Sequence, residues 1–353
     1  MRIYYYHTRP ILPALEEWKE FKHPGHILYG LTHFERNGVD TVIHPFKAYA
    51  SRLRLMIYNL ITILSCKQSY DVLYGTSYRG LELLIFLRAL GLYRKPIAIW
   101  HHQAVPASNG YLKNQVSKFF YKGLDCLFFF SRALIEDSLN TRKVRAERLH
   151  LIHWGADLDF YDHLIQVDKP GKKDFFISTG KENRDFQTLL QAFAATQQPL
   201  EVYTSSANGD QQYDTILQAY ADQPHIRIHF VKGIIPYELA LKVASSQAVV
   251  ISCLDFPYTV GLTTLVEALA LGIPLITSRN PKFEMDIDHE EAGITVAYGD
   301  VNGWEEAIRF LQQHPEKAVK MGQNGRHLAE QTYNLENYTK ELVDILKTLA
   351  RKA

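Results

Sequence analysis

The feature that most constrains this chain is an alternation between short apolar segments and helical patterns that runs twice along the sequence. The first series opens with a strand candidate at residues 2–6, passes through a long loop to residue 25 and a helical pattern at residues 26–37, and closes with another strand candidate at 149–153. A polar stretch at 168–174 follows, and the alternation restarts with a strand candidate at 175–178. Strands that alternate with helices are typical of parallel, doubly wound sheets. The sequence therefore predicts an α/β protein of two Rossmann-like domains that face a central ligand cleft at the carboxyl ends of their sheets.

Composition excludes several other classes of protein. Hydrophobic residues make up 46% of the 353-residue chain and aromatic residues 12%, which suffices for two buried cores and excludes extensive disorder. No apolar run reaches the roughly 20 residues of a spanning helix, and no secretory signal pattern precedes the first strand. The three cysteines are far apart and lack metal-ligand spacing. We therefore expect a cytoplasmic protein without a metal site.

Charge is distributed unevenly between the two series. Residues 1–150 contain 21 Lys and Arg against 11 Asp and Glu, whereas the remainder contains 18 against 27. A basic first half is expected to face an anionic partner, which could be a membrane surface, a lipid-phosphate acceptor or a nucleic acid. No nucleic-acid-binding module accompanies the charge, so we expect no nucleic acid, and chance surface charge is the alternative explanation. The cationic and apolar pattern of residues 111–122 suits either an interfacial membrane helix or a helix that packs on the core.

The most informative segment, residues 257–274, follows an apolar strand candidate and opens a helix. Gly261 allows close approach of the backbone to a ligand, and Thr263 and Thr264 place hydroxyl groups in the first helical turn. Unpaired amide hydrogens at a helix start bind phosphate. Glu267 lies about one turn further and can accept hydrogen bonds from ribose hydroxyls. These residues fit a nucleotide site, although an ordinary strand-to-helix crossover with a capping threonine has the same pattern.

This segment resembles the donor-binding signature of retaining glycosyltransferases with the B-type fold, family 4 and its relatives. Other segments resemble the family's inter-domain segment, diphosphate-binding loop, strand end beside the nucleobase and late hairpin-like turn: residues 152–157, 176–186, 230–233 and 291–300. These matches follow the family's order over residues 150–335. The resemblance implies an acceptor-binding domain at 1–160, to which a final helix at 335–353 crosses back, and a nucleotide-sugar-binding domain at 161–334.

The resemblance also implies roles for single residues. Glu267 would hold the ribose in the catalytic site, and Lys181 and Arg184 would bind the two phosphates. Gly261, Thr263 and Thr264 would add backbone and hydroxyl donors, and Lys232 would lie at the strand end beside the nucleobase. Cations beside a departing diphosphate stabilise the negative charge that develops as the glycosidic bond breaks. A solvated loop is the alternative reading of Lys181 and Arg184.

One position departs from the family pattern. Family members commonly have another glutamate eight residues before the position of Glu267, and this chain has Thr259 there. The donor sugar and its contacts are therefore left open. Asp255 is either a stand-in carboxylate or an exposed acid of the loop.

Candidate residues of the first half are two histidines and a loop. His101 and His102 follow the strand candidate at 96–100, and a family histidine near that place contacts the sugar, with neither of the two singled out. The alternative is that they bond backbone groups of their loop. Gly25 and His26 resemble the family's loop that faces phosphate and acceptor, and a helix N-cap without a ligand is the alternative.

The resemblance implies a glycosyltransferase that moves a sugar from a UDP- or GDP-sugar to a glycan or lipid-linked acceptor. Configuration would be retained, no metal or other cofactor would be required, and the product would be a cell-surface polysaccharide or glycolipid. Apart from the resemblance, the charge of the first domain leaves two locations open for the enzyme: free in the cytoplasm, or in peripheral contact with the inner face of an anionic membrane. The alternatives are a sugar-nucleotide 2-epimerase of the same fold and an inactive nucleotide-binding homologue. An oxidoreductase is disfavoured, because no Gly-x-Gly-x-x-Gly run follows either opening strand.

Overall fold

The computed structural model describes residues 1–171, 174–208, 211–231 and 236–352. The chain divides into two compact units. The first comprises Met1–Glu17, Gly25–Trp154 and Leu335–Ala353, and the second comprises Trp18–Pro24 and Gly155–Asn334. The chain thus enters the second unit at Gly155, six residues before the predicted start at 161, and an early segment that was expected in the first domain also belongs there.

The first unit is built on a six-stranded parallel sheet of order β2-β1-β3-β4-β5-β6. Its strands are β1 (Arg2–Tyr6), β2 (Asp40–Ile43), β3 (Val72–Gly75), β4 (Ile97–Trp100), β5 (Cys126–Phe129) and β6 (Leu149–Leu151). Its helices are α1 (Leu12–Lys19), α2 (Arg52–Leu64), α3 (Glu82–Ala89), α4 (Tyr111–Lys122) and α5 (Arg132–Asn140). The central strands are buried throughout because helices cover both faces of a parallel sheet.

The second unit repeats this architecture, with a six-stranded parallel sheet of order β11-β8-β7-β12-β13-β14 and a separate antiparallel pair, β9 and β10. Its strands are β7 (Phe176–Thr179), β8 (Leu200–Thr204), β9 (Ala207–Asn208), β10 (Gln211–Gln212), β11 (Ile226–Phe230), β12 (Ala248–Ile251), β13 (Leu275–Ser278) and β14 (Gly293–Val296). Its helices are α6 (Leu158–Asp168), α7 (Phe186–Thr196), α8 (Asp214–Gln218), α9 (Pro236–Ser245), α10 (Leu262–Ala270), α11 (Val301–Gln313) and α12 (Pro315–Gln331). The prediction of two doubly wound α/β units is confirmed.

The final helix, α13 (Leu335–Arg351), belongs to the first unit. Its buried residues recur at three- and four-residue intervals from Leu335 to Leu346, which is the pattern of a helix with one core-facing stripe. Tyr338 is fully buried, and its hydroxyl donates to the carbonyl of His26 at 3.0 Å. None of the described helices is long and apolar enough to cross a bilayer.

Three local predictions are wrong. The helix expected at residues 26–37 is instead three short 3₁₀ segments, Gly25–Leu28, Leu31–His33 and Glu35–Asn37, because Tyr29 (φ 51°) and Gly30 (φ 88°) are left-handed and interrupt an α-helix. Helix α1 lies where a loop was expected; Pro13 is in its first turn, where proline is tolerated. Helix α6 was missed, although Asp157 caps it by accepting the N–H of Phe160 at 3.3 Å.

Candidate functional site

In the second unit, the loop after β7 and the loop after β12 are joined through Arg184. The Arg184 side chain is only 4% exposed. Its Nε and Nη2 donate to the carbonyl of Thr179 at 3.1 and 2.9 Å, and Nη2 also donates to Oγ1 of Thr264 at 3.0 Å. Nη1 donates to Sγ of Cys253 at 3.1 Å. The structure thus brings together Arg184 and Thr264, which the sequence assigned to one site.

The charge of Arg184 has no counterion among the residues that the structure describes. A guanidinium has five N–H groups, and the described contacts occupy four of them, leaving one N–H on Nη1. The partners are carbonyl, hydroxyl and thiol groups. Burial raises the pKa of the Cys253 thiol, so this partner is a neutral thiol rather than a thiolate. A buried cation without a carboxylate partner is costly, and an anionic ligand would remove the cost.

Two glycines make room for this guanidinium. Gly180 has φ 91°, and a Cβ there would lie 2.4 Å from Nη2 of Arg184. Gly261 has φ 90°, and a Cβ there would lie 2.7 Å from Cγ2 of Ile251 and 3.2 Å from Sγ of Cys253. Both positions need glycine for backbone conformation and for space.

Helix α10 begins directly at this cluster. Gly261 is its N-cap and makes no side-chain capping hydrogen bond, so no side chain of the cap covers the first-turn amide hydrogens. Thr263 is exposed, whereas Thr264 is buried and its hydroxyl accepts from Arg184. Because Thr264 holds the guanidinium, Thr263 is the hydroxyl of the pair that is open to a ligand.

Glu267 lies further along α10 and is half-buried. It is hydrogen bonded to the hydroxyl of Tyr161, a fully buried residue of α6. Burial first, and then the charge of Glu267, raise the pKa of Tyr161 well above its ordinary value, so its hydroxyl stays protonated. Tyr161 was not singled out from the sequence; the Asp157 cap of α6 was the signal that could have indicated a helix there.

The remaining predicted residues of the second unit differ in their surroundings. Lys181 is exposed, and its ammonium makes no hydrogen bond or ion pair with any described residue. Its carbonyl accepts from the hydroxyl of Tyr213 at 2.9 Å, and the same hydroxyl accepts from the N–H of Arg184 at 3.1 Å. Tyr213 thereby fixes the loop, a role that no sequence pattern signalled. Lys232 lies outside the described residues.

Neither Thr259, which stands at the position of the missing glutamate, nor Asp255 contacts the side chain of Arg184 among the interactions of the described residues. Thr259 is 8% exposed, and its carbonyl accepts the N–H of Leu262 at 3.2 Å as the chain enters α10. Asp255 is exposed, and its charge is one of the causes that raise the pKa of Tyr298, after burial of that tyrosine. Both residues lie in the loop between β12 and α10.

The two histidines after β4 have different environments in the first unit. His101 is 4% exposed, its Nδ1 bonds the carbonyl of Gln103, and its Nε2 lies 3.0 Å from the hydroxyl of Tyr121. Burial lowers its pKa to about 4, so it is neutral at pH 7. His102 is exposed, and its Nε2 lies 2.9 Å from the carbonyl of Thr76. Of the two, His102 is the histidine that a ligand can reach.

Gly25 and His26 begin a four-residue 3₁₀ helix rather than the α-helix expected there. His26 is fully buried, with its ring packed edge-on against Trp154 at a centroid distance of 5.3 Å. Its carbonyl accepts from Tyr338. As for metals, no group of three or more His, Cys, Asp or Glu side chains in the described part of the chain could hold an ion.

Comparison with known proteins finds one family that resembles most of the second unit. Residues 163–328 match the family described as glycosyl transferases group 1. No curated protein matches the chain in sequence.

Solved structures match the chain over nearly its full length. HepE from Anabaena in complex with UDP-glucose is 14% identical, with a TM-score of 0.68 and coverage of 99% of this chain and 100% of that one. Sucrose-phosphate synthase from Thermosynechococcus elongatus is 18% identical, with a TM-score of 0.70 and coverage of 100% of both chains. A structure described as trehalose-6-phosphate from E. coli, bound with UDP-2-fluoro glucose, is 12% identical, with a TM-score of 0.72 and coverage of 98% and 99%. At such identities the likeness establishes the fold, which is the B-type fold of glycosyltransferases.

Proposed function

We propose that this chain, whose residues 163–328 match glycosyl transferases group 1, transfers a sugar from a UDP-sugar to a glycan or lipid-linked acceptor. The likeness to structures that hold UDP-glucose and UDP-2-fluoro glucose favours UDP over GDP as the donor nucleotide. Retention of configuration, independence of metal ions and a product in cell-surface polysaccharide or glycolipid are parts of the same proposal.

The observation that carries the donor site is the buried charge of Arg184 beside the uncapped start of α10. We assign the diphosphate to this place, with the remaining N–H of Arg184, the first-turn amides of α10 and the hydroxyl of Thr263 as donors. Lys181, whose ammonium is exposed on the same loop, would reach the outer phosphate. Glu267 would accept from the ribose hydroxyls, with its carboxylate held by Tyr161. Lys232 is retained as a neighbour of the base.

The groups of this proposed donor site stabilise the negative charge that develops as the glycosidic bond breaks. In the proposed reaction the acceptor hydroxyl oxygen bonds to the anomeric carbon while the bond from that carbon to the β-phosphate oxygen breaks. The bonding electrons stay on the diphosphate, and the proton of the acceptor hydroxyl passes to the β-phosphate oxygen. Arg184 is already fixed by four hydrogen bonds, so it stabilises the developing charge without reorganisation. We propose His102, rather than His101, as the histidine that contacts substrate; Gly25 and His26 stay assigned to the acceptor loop.

A thermal-shift series tests the donor assignment. UDP should raise the melting temperature of the wild-type protein more than GDP or ADP does, because a ligand that binds only the folded state stabilises it. Lys181→Gln and Glu267→Gln should reduce that shift. Lys320→Gln, which changes an exposed lysine of the same unit, is the matched control and should leave it unchanged. Equal shifts in all four proteins would remove the donor site from this place.

Assays of the reaction test its class. A transferase consumes UDP-sugar only when acceptor is present, whereas an epimerase converts the donor alone and an inactive homologue binds UDP without turnover. Loss of activity in a chelator with recovery on addition of Mg²⁺ would contradict metal independence, since Arg184 and Lys181 are proposed to supply the positive charge.

We also propose that the first unit contacts an anionic membrane. Helix α2 exposes Leu53, Ile57, Ile61 and Leu64 by 43 to 60%, at a spacing that places them on one face. Helix α4 exposes Tyr111, Leu112 and Val116 by 50 to 80%, and α3 packs against both helices. Residues 41–124 hold eleven Lys and Arg and only two carboxylates, Asp71 and Glu82. Exposed apolar side chains among basic residues fit an anionic bilayer surface.

Sedimentation with vesicles tests this contact. The protein should sediment with phosphatidylglycerol vesicles and not with phosphatidylcholine vesicles. Ile57→Ser combined with Ile61→Ser should release it, whereas Val319→Ser, which removes an equally exposed apolar side chain from the second unit, should not. Equal binding by all variants, or none by the wild type, would contradict a membrane face on α2 and α4.

A further inference from the structure

The first unit contains a cavity of about 380 Å³ at the carboxyl ends of its strands. We call it the basic pocket; its cationic lining residues are Arg9, Lys47 and Arg79. This volume lies within the range of about 300–1,000 Å³ that is usual for small-molecule sites. Ligands of doubly wound sheets bind at this edge. The position and the size of the pocket therefore fit a ligand site.

The three cations come from three separate loops. Arg9 follows β1, Lys47 follows β2 and Arg79 follows β3, and these strands are neighbours in the order β2-β1-β3. The side chains of Arg9, Lys47 and Arg79 are exposed, and none of them forms a hydrogen bond or ion pair with a residue that the structure describes. The ammonium of Lys47 lies over the rings of Tyr49 and Tyr58, at 5.5 and 5.7 Å. Three separate loops of the first unit thus bring positive charge to one pocket.

Among the residues that the structure describes, no carboxylate lines the basic pocket. The nearest acid in sequence to Arg79 is Glu82, and it is already engaged. Its Oε1 accepts from Nε of Arg52 at 2.9 Å, and its Oε2 accepts the N–H of Gly80 at 2.8 Å. The charges of the three lining cations are therefore available to pair with an anionic ligand from solution.

The floor of the pocket is a fixed polar network. Asn59 donates to the hydroxyl of Tyr6 and to the carbonyl of Gly80, each at 3.0 Å, and Tyr6 donates to the carbonyl of Arg79 at 2.7 Å. His44 lies 3.0 Å from Oδ1 of Asn59. These bonds hold the backbone at Arg79 in place, so the fold fixes the position from which this arginine reaches the pocket.

His7 adds a neutral donor to the lining. Its Nδ1 lies 3.0 Å from the N–H of Arg9, so it accepts that bond and the neutral ring carries its hydrogen on Nε2. Burial and the neighbouring Arg9 lower its pKa to about 4, which keeps the ring neutral at pH 7. A neutral N–H donor beside three cations suits the oxygens of a phosphate ester, which also accept the bidentate bonds that arginine forms.

We propose that the basic pocket binds the phosphate of a phosphorylated acceptor, either a phosphosugar or a lipid phosphate. As an assignment of acceptor chemistry, this inference rests on the proposed function. The binding step is independent of the donor and can be measured without it.

Isothermal titration calorimetry of the full chain without nucleotide tests the pocket. Glucose 6-phosphate or geranyl phosphate should bind, glucose should not, and the affinity should fall as salt is added. Binding of one phosphate ester and not the other identifies its source as sugar or lipid, and both results support the pocket. Failure of both esters to bind overturns it.

Variants of the lining arginines test whether the phosphate ester binds in the basic pocket. The double variant Arg9→Gln and Arg79→Gln should weaken binding of the ester by at least about tenfold, the cost of losing about one charge-assisted hydrogen bond. Arg94→Gln, which removes an exposed charge from the same unit outside the pocket, is the control and should change binding by less than about twofold. Equal losses in the two proteins would overturn the assignment, because they would indicate general attraction of anions.

The UDP thermal shift separates this inference from the donor proposal. The double variant should keep the wild-type UDP shift, which also shows that it is folded. If the wild type shows no UDP shift but binds the ester through Arg9 and Arg79, the donor proposal fails and the pocket stands. If UDP binds and no ester does, the pocket fails and the donor proposal stands.

Discussion

Replacement of Gly180 by alanine is the sharpest test of the Arg184 cluster. Gly180 has φ 91°, and a Cβ at this position would lie 2.4 Å from Nη2 and 3.2 Å from Cζ of Arg184. A methyl carbon and a nitrogen atom that are not bonded cannot lie 2.4 Å apart, so one of the two groups has to move. The guanidinium must therefore shift, and its bonds to Thr179 and Thr264 are the ones that the shift breaks first.

The expected loss has two parts. Left-handed backbone costs an alanine about 1–2 kcal/mol, which lowers the stability of the second unit. Displacement of Arg184 removes its one charge-assisted hydrogen bond to the diphosphate, which is donated by the remaining N–H of Nη1. We therefore expect UDP to bind about 10–100-fold more weakly, which corresponds to about 1.4–2.8 kcal/mol.

Gly299→Ala provides the matched control. Gly299 belongs to the same unit and has φ 70°, but no atom of a described residue lies within 4 Å of a Cβ built there. This substitution carries the backbone strain without the clash. Thermal unfolding of the two variants and titration with UDP by calorimetry separate the two parts. Both variants should melt below the wild type, and only Gly180→Ala should lose UDP affinity.

The comparison has a clear contrary outcome. If the UDP dissociation constants of the two variants agree within about twofold, less than half a kcal/mol, then the position of the Arg184 guanidinium does not matter for nucleotide binding. The buried cation would then be a structural tie between the two loops, and the diphosphate would have to be assigned elsewhere.

Three further outcomes are expected. Gly80→Ala should destabilise the first unit by about 2–3 kcal/mol in urea unfolding, because its Cβ would lie 2.6 Å from Nδ2 of Asn59 and 2.7 Å from the Tyr6 hydroxyl, whereas Gly38→Ala, with open space at φ 71°, should cost less. Tyr161→Phe should weaken uridine binding about threefold and leave pyrophosphate binding unchanged, because it frees the Glu267 carboxylate; equal losses for both ligands would contradict this. Burial lowers the pKa of three histidines of the first unit to about 4. As the pH falls, these histidines are therefore protonated in the unfolded chain before they are protonated in the folded one. Stability should be complete above about pH 6.5 and should decline toward pH 4 by up to about 1.4 kcal/mol per pH unit for each group; urea unfolding of His101→Gln should show a flatter dependence on pH. These groups are His7, His44 and His101.

The fold could be predicted because its signals are local and repeated. Strand β1 has the predicted bounds, and β4, β6 and β7 lie within one or two residues of the candidates at 96–100, 149–153 and 175–178, since buried parallel strands are apolar along their whole length. The 3₁₀ segments could not be predicted from the same periodicity. Their cause is a pair of left-handed residues, Tyr29 and Gly30, and a tyrosine in that conformation has no sequence signature.

The helix start of the candidate site could be predicted from the sequence, whereas the contacts of its side chains could not. The spacing of Gly261, Thr263, Thr264 and Glu267 indicated a helix start suited to a nucleotide, and α10 begins there. The sequence could not show that Thr264 serves Arg184 rather than a ligand, because the two are 80 residues apart and meet only through the pairing of β7 with β12. Burial of Arg184 and exposure of Lys181 likewise follow from tertiary packing, although both are cations of one loop.

The two anion sites should respond differently to salt, because their cations differ in burial. Arg184 is 4% exposed, whereas Arg9, Lys47 and Arg79 are exposed. Dissolved ions screen exposed charges over about 10 Å at an ionic strength of roughly 0.1 M, and they screen buried charges much less. Raising the salt should therefore weaken the phosphate ester more steeply than UDP when both are titrated under the same conditions. Equal slopes would mean that Arg184 acts as a surface charge toward its ligand, which its four internal hydrogen bonds and its burial contradict.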